Sequence, residues 1–125
     1  MKQVISTSEA PQAIGPYSQA VVHEGTVYCS GQIALNPETM EIVGKTAAEQ
    51  TKQIMENLNS LLRTTNSGLD KVLKCTVYVK DLNDFNAVNE VYGSYFPDNP
   101  PARATVEVSR LPKDVLVEVD CIAYL

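Results

Sequence analysis

The sequence predicts an α+β domain of two layers, a mixed β-sheet with two helices packed on one of its faces. Strand-like runs alternate with two amphipathic stretches in the order β-β-α-β-α-β-β. Each helical stretch carries a single apolar stripe, so both helices should bury that stripe against the same face of the sheet. The 125 residues allow one domain, residues 1–125.

The first two strands are predicted as a hairpin. Gln19 to Val22 and Thr26 to Ser30 are strand-like, and the turn residues His23-Glu24-Gly25 lie between them. His23 therefore reads as a solvated turn residue, which makes it a poor candidate for a catalytic base.

The first helix is predicted to begin after Thr46, where the apolar period changes to three and four. Thr46 and Glu49 have the spacing of a capping box, and Asn66-Ser67-Gly68 should end the helix. Its apolar stripe comprises Ala47, Thr51, Ile54, Leu58, Leu61 and Leu62. The run Val72 to Val79 that follows is predicted to be a buried strand.

The second helix is predicted from Leu82 to Phe96, with Asp81 as its N-cap. Pro97 ends it, because proline cannot continue a helix. Two strands, Ala104 to Val108 and Val115 to Tyr124, close the chain.

The last predicted strand has two unlike faces. Side chains alternate along a strand, so one face carries only small and apolar residues while the other mixes apolar residues with Glu118 and Asp120. A half-apolar, half-acidic face is unusual for plain exposure to solvent. It suits contact between subunits, so the pattern predicts a homo-oligomer.

Composition excludes several classes of function. Ten Lys and Arg against fifteen Asp and Glu give a net charge of −5, which disfavours partners such as nucleic acid or an anionic membrane. No run approaches the roughly 18 apolar residues of a bilayer span, and the N-terminus lacks the apolar stretch of a signal peptide. We therefore expect a cytoplasmic protein.

Cofactor and metal motifs are missing as well. The cysteines Cys29, Cys75 and Cys121 are far apart in the sequence and His23 is the one histidine, so neither a structural zinc site nor a catalytic triad is predicted. No glycine-rich phosphate loop occurs. We expect no cofactor and no metal, and we interpret the cysteines as small buried side chains in a reducing compartment.

Two residues could carry chemistry. Arg103 lies between a proline-stiffened loop and a strand, where a guanidinium can bind a small carboxylate bidentately; a surface salt bridge is the alternative. Glu118 lies mid-strand on the mixed face, and partial desolvation there would raise its pKa toward the range useful for proton transfer. Solvent-facing alternation is the alternative for Glu118, and Asp120 is a competing candidate.

Two further positions are candidates for ligand contact. Tyr17 follows a Gly-Pro turn that fixes the direction of its ring, although it could equally cap the core. Ser30 and Gly31 end a predicted strand, where glycine allows a ligand to approach the backbone. Together the residues alone predict a site for a small anion.

Several segments resemble the RidA family, also called YjgF. They are IGPYSQA at 14–20, SGQI at 30–33, VKDLNDF at 79–85, PARATVEV at 101–108, RLPKD at 110–114 and VEV at 117–119. The resemblance implies a chorismate-mutase-like α+β fold and a homotrimer with clefts between subunits. It also implies hydrolysis of 2-iminopropanoate and 2-iminobutanoate, or their enamine tautomers, to 2-oxo acids and ammonia, which protects pyridoxal-phosphate enzymes.

The same resemblance assigns roles by position. Arg103 matches the arginine that pairs with the substrate carboxylate, and Glu118 matches the glutamate that positions or activates water. The remaining matched positions are expected to contact the ligand; they are Tyr17, Ser30, Gly31, Asn89 and Thr105. Thr105 falls where many members have cysteine, so a thiol-dependent modification is not expected here.

Two other functions remain open at this point. Some members lack the arginine and do not deaminate imines, so a trimer that binds a 2-oxo acid without turnover is one alternative. Endoribonuclease or translation-inhibitor activity is the other, and the acidic charge argues against it.

Overall fold

A computed structural model describes all residues, 1–125, and shows the α+β domain that the sequence predicts. The strands are β1 (Gln3–Ile5), β2 (Ala20–His23), β3 (Thr26–Gln32), β4 (Val72–Val79), β5 (Ala102–Glu107) and β6 (Val117–Tyr124). The helices are α1 (Ala47–Thr64) and α2 (Phe85–Ser94). One mixed sheet has the strand order β1-β2-β3-β6-β4-β5. Only β4 and β5 are parallel, and α2 makes the crossover between them.

The predicted strand order lacks β1, which the structure adds at the edge of the sheet. This strand has three residues, with Val4 opposite Val21 of β2. A run this short shows no period, so its pairing depends on the neighbouring strand.

The other differences concern the ends of elements. A single 3₁₀ turn, Leu82–Asp84, precedes α2, and Asp81 caps that turn by accepting a hydrogen bond from the amide of Asn83 at 2.8 Å. Strand β5 begins two residues before the predicted Ala104. Strand β6 begins two residues after the predicted Val115, because the amide of Val115 closes a turn on the carbonyl of Pro112 at 3.3 Å.

Helix α1 begins with the predicted capping box. The Thr46 hydroxyl accepts from the amide of Glu49 at 3.2 Å, and the Glu49 carboxylate accepts from the amide of Thr46 at 3.1 Å. The helix buries one face under the sheet, and Asn66 follows it with a positive φ of 66°. Neither α1 nor α2 combines the length and the apolar character that crossing a lipid bilayer requires.

Strand β6 lies in the middle of the sheet and has the two predicted faces. Val117, Val119, Cys121 and Ala123 are buried against the helix layer, whereas Glu118 and its neighbours on the other face are half-buried. The buried face joins the apolar side of α1 in one core. The opposite face of the sheet carries no helix in the single chain.

The three cysteines form one row on the buried face. Cys121 of β6 is the register partner of Cys29 on β3 and of Cys75 on β4, and all three are buried and free. Burial raises the pKa of the Cys75 thiol to about 12. The pKa of Cys121 is raised by its hydrogen bond with Cys29 and by burial. The cysteines are therefore the small buried side chains that the sequence predicts.

Gln19 anchors the segment that precedes β2. It is buried, its Oε1 accepts from the amide of Thr7 at 2.7 Å, and its Nε2 donates to the carbonyls of Thr7, Ala10 and Pro11 at 3.0, 3.2 and 2.7 Å. This amide group holds a loop that has no other regular pairing.

Replacing Gln19 with Leu should lower the free energy of unfolding by about 1–3 kcal/mol, because buried backbone groups lose their partners. Equilibrium urea denaturation measures the change. Gln12→Leu is the matched control: Gln12 is exposed and donates to the same Thr7 carbonyl at 3.0 Å, so its loss should stay within about 0.5 kcal/mol. Equal losses in the two variants would contradict the role of Gln19.

Candidate active site

A cavity of about 570 Å³ lies beside β3 and β6. Four of the residues that the sequence singles out line this cavity: Tyr17, Ser30, Gly31 and Glu118. We call these four residues the glutamate cluster. They come from the loop before β2, from β3 and from β6, so the sheet register is what brings them together.

The close approach of Gly31 and Glu118 requires glycine at position 31. The pairing of β3 with β6 shifts between Cys29 and Gln32, and this irregularity leaves room for the Glu118 side chain over Gly31. A Cβ atom on Gly31 would lie 2.9 Å from Cδ of Glu118 and closer still to Oε2. Bulges of this kind often re-aim side chains beside functional sites.

The Gly15-Pro16 turn places Tyr17 at the cavity, as the sequence predicts. Gly15 has a φ of 125°, and the hydroxyl of Tyr17 accepts a 3.4 Å hydrogen bond from the amide of Ile14. Tyr17 is 52% exposed, so it lines the cavity and does not cap the core. Ser30 donates its hydroxyl hydrogen to the carbonyl of Ser18 at 2.5 Å, which leaves its oxygen free to accept.

The surroundings of Glu118 favour the protonated form of its carboxyl group. Burial raises the pKa of its carboxyl group, and the negative charge of Asp120 on the same face raises it further. Asp120 is itself held by the hydroxyl of Tyr78, which donates to its Oδ2 at 3.0 Å. Asp120, the competing candidate, does not line the cavity.

Arg103 lies elsewhere, at the edge of the sheet against α2. Its Nη1 donates to Oδ1 of Asn89 at 2.6 Å, and its Cζ lies 5.5 Å from the ring centroid of Phe85 and 5.0 Å from that of Tyr92. Thr105 is two residues further along β5 and shares the face of Arg103. We call Asn89, Arg103 and Thr105 the arginine cluster.

The two clusters lie on opposite faces of the sheet. In the β4–β5 register Arg103 pairs with Cys75, and Cys75 points into the core below the helices. In the β4–β6 register Glu118 pairs with Tyr78, which belongs to the other face. One chain therefore brings together the members of each cluster and does not bring Arg103 to Glu118.

Several residues that line the cavity or surround Arg103 are not singled out by the sequence. Lys113 and Gln19 line the cavity, and Lys113 has a positive φ of 56° in the turn Pro112–Asp114 that precedes β6. Phe85 and Tyr92 belong to the apolar stripe of the second helix, and both also face Arg103. The signal for them is the i, i+4, i+7 spacing of Phe85, Asn89 and Tyr92 on one helix face.

The arrangement of side chains gives little support to metal binding or to a catalytic role for His23. No three His, Cys, Asp or Glu side chains gather closely enough to share a metal ion. His23 lies at the exposed end of β2, 3.8 Å from Glu24. The polar groups available at the cavity are the carboxyl group of Glu118, the ammonium group of Lys113, hydroxyls, and side-chain and backbone amides.

Comparison with known proteins adds the family. The family model described as Endoribonuclease L-PSP matches residues 7–125. A RutC family protein of Pyrococcus abyssi is 53% identical, with 98% of this chain and 97% of that protein covered. The human protein named 2-iminobutanoate/2-iminopropanoate deaminase is 45% identical, covering 98% of this chain and 90% of its own.

A solved structure agrees with these sequence matches. The crystal structure of TdcF from E. coli with bound serine superposes with a TM-score of 0.94 at 39% identity, covering 98% of each chain. The resemblance of the sequence motifs is therefore confirmed over nearly the whole chain. The protein belongs to the endoribonuclease L-PSP family, which is the RutC/RidA family.

Proposed function

We propose that this protein hydrolyses reactive 2-imino acids, 2-iminopropanoate and 2-iminobutanoate among them, to 2-oxo acids and ammonia. The observation that carries the proposal is the pair of half-sites: an arginine held by Asn89 and a partly buried glutamate facing a cavity. The human relative's name, an imine deaminase, supports the reaction. The three free thiols of the present chain are typical of a reducing compartment, so we also propose that the protein acts in the cytoplasm.

Arg103 binds the substrate carboxylate in this proposal. Its Nη1 is engaged by Asn89, and the remaining N–H groups can donate in parallel to two carboxylate oxygens. Asn89 then acts by orienting the guanidinium. The crystal structure of the E. coli relative with bound serine supports a ligand of this size that carries a carboxylate.

Glu118 moves the proton. Its carboxylate accepts a proton from a water molecule as the oxygen attacks the iminium carbon, and it passes that proton to the nitrogen of the resulting carbinolamine. It then takes the remaining hydroxyl proton as the C=O bond forms and the carbon–nitrogen bond breaks, and gives it to the departing ammonia. The products are one 2-oxo acid and one ammonium ion. A raised pKa suits both steps, because the group must bind and release a proton near neutral pH.

The reaction needs both clusters, and we propose that two copies of the chain supply them. Val4, Tyr28 and Tyr124 are exposed apolar residues on the sheet face without helices, which suits burial against another copy. A cyclic homotrimer would repeat the same unlike contact three times and form three shared clefts. Each cleft would take Arg103 from one subunit and Glu118 from the next.

RNA cleavage is a less well supported function than imine hydrolysis, although the family model is described as an endoribonuclease. The net charge of −5 repels phosphate. The charged residues at the cavity are Lys113 and Glu118 alone, which is no cationic track for a strand.

A coupled assay with two variants tests the proposal. A threonine dehydratase generates 2-iminobutanoate in place, and semicarbazide competes to trap it. Arg103→Ala and Glu118→Gln should each lower kcat/KM by about 100-fold or more, since each removes a charged partner from a desolvated site. The two inactive variants are then unfolded together, refolded as a mixture and assayed again, with sedimentation giving the mass of each assembly.

The mixture should recover activity. In a random trimer, about one cleft in four combines an intact Arg103 with an intact Glu118, so about a quarter of the wild-type activity should return. No recovery with intact trimers would show that the site is not shared. Absence of activity in the wild type would move the assignment to a trimer that binds 2-oxo acids without turnover.

Replacing Gly31 with Ala should slow the reaction by about 100-fold, because the new Cβ displaces the Glu118 carboxylate and small displacements of a catalytic group are this costly. Gly93→Ala is the control, since a Cβ there meets no atom within 4 Å. Steady-state deaminase kinetics measures both. Unchanged kinetics in Gly31→Ala would refute the role assigned to Glu118.

The pH profile reports the state of Glu118. Activity needs the ionised carboxylate, so the rate should fall as the pH drops through its raised pKa, at higher pH than for an ordinary glutamate. Asp120→Asn removes the negative neighbour, which lowers the Glu118 pKa and moves the acid limb to lower pH. Glu107→Gln removes a charge on β5 and should leave the limb in place; an equal shift in both would contradict the assignment.

A further inference from the structure

Helix α2 presents two aromatic rings to Arg103 that the proposed reaction does not use. Phe85, Asn89 and Tyr92 form one face of α2, and the Arg103 guanidinium lies against all three. The Cζ-to-centroid distances of 5.5 and 5.0 Å are within the range of cation–π attraction.

We propose that Tyr92 is a positioning residue whose ring fixes the Arg103 guanidinium so that its free N–H groups present one edge to a carboxylate. This inference rests on the proposed function and deepens it, because it names what gives the carboxylate site its geometry. The ligand class is a small planar carboxylate that meets the guanidinium edge-on.

Arg103 needs such support because of where it lies. It is exposed on β5, the edge strand of the sheet, and a long arginine side chain at an edge samples many rotamers. The hydrogen bond to Asn89 fixes one nitrogen. A ring against the guanidinium restrains the remaining rotation, which a single hydrogen bond leaves free.

Tyr92 is rigid enough to provide this restraint. Its side chain is 5% exposed and packs on Phe96 with a centroid distance of 4.9 Å. In the β4–β5 register Cys75, which lies below Tyr92, is also the partner of Arg103. The Tyr92 ring therefore contacts both Phe96 and the guanidinium of Arg103.

The ring of Tyr92, and not its hydroxyl, makes the contact. The buried hydroxyl makes no hydrogen bond to Arg103; it lies beside the thiol of Cys75, and burial raises its pKa far above the usual range. It therefore stays neutral at all working pH values and forms no ion pair with Arg103. Phenylalanine at this position would keep the restraint, whereas an aliphatic side chain would remove it.

Three variants test the inference in the intact oligomer. Tyr92→Leu removes the ring and Tyr92→Phe keeps it. Tyr95→Leu makes the same change at the residue that follows α2, a tyrosine whose hydroxyl donates to Glu56 at 2.7 Å and which does not contact Arg103. Titration calorimetry gives the affinity for 2-oxobutanoate. Proton–nitrogen correlation spectra resolve the Nε–H groups of the three arginines, Arg63, Arg103 and Arg110.

The Nε–H signal of Arg103 should be shifted by ring currents in the wild type and in Tyr92→Phe, and in Tyr92→Leu it should lose the part of that shift that the Tyr92 ring causes, while the Phe85 ring still contributes. Affinity for 2-oxobutanoate should fall by about 5- to 30-fold in Tyr92→Leu, with little change in Tyr92→Phe and Tyr95→Leu. If Tyr92→Leu fails to fold, Phe85→Leu provides the test at the half-buried second ring, with a smaller loss expected.

Two results would overturn the inference: an unchanged Arg103 signal in Tyr92→Leu, or equal losses of affinity in Tyr92→Leu and Tyr95→Leu. Failure of the proposed function is distinguishable from these. In that case the wild type would not deaminate imines, with or without binding of 2-oxobutanoate, while the spectra of the free protein would still show whether Tyr92 holds Arg103.

Discussion

The two-residue period of the central strand β6 is the constraint on which the rest of this structure depends. Val119 points into the core and Glu118 points away from it. Both neighbouring strands pair with β6 in this alternation, apart from one shift in β3 between Cys29 and Gln32 and one in β4 between Val72 and Lys74. A slip of one residue would put Glu118 among valines and carry the valines to the surface. Core stability and the position of the carboxylate are thus specified together.

The same sheet separates the two candidate site residues, Arg103 and Glu118. The crossover through α2 returns the chain to β5 with Arg103 facing the helix, whereas Glu118 faces the side without helices. The fold of one chain thus holds the two groups apart, and on our proposal a second copy brings them together. Assembly, on our proposal, becomes part of the catalytic apparatus and not only of its stability.

The features that the sequence predicts correctly are those that depend on residues close together in the chain. The capping box at Thr46 and the alternation of β6 depend on residues a few positions apart, so both could be read directly. Strand β1 could not, since three residues acquire strand structure only through β2. The surroundings of Arg103 depend on parallel pairing and on helix packing. The sequence motif therefore singles out Arg103 as a candidate, while its two aromatic neighbours are visible in the sequence only as apolar residues.

The burial of the three cysteines bears on which nucleophile can attack the substrate in the proposed reaction. An iminium carbon that water can attack is equally open to a thiolate. With a pKa of about 12 for Cys75, only about one molecule in 10⁵ would carry that thiolate at pH 7, and all three thiols lie in the dry layer under the helices. The chain thus keeps its own strongest nucleophiles away from the electrophile it is proposed to handle, and water meets no internal competitor for the reacting carbon.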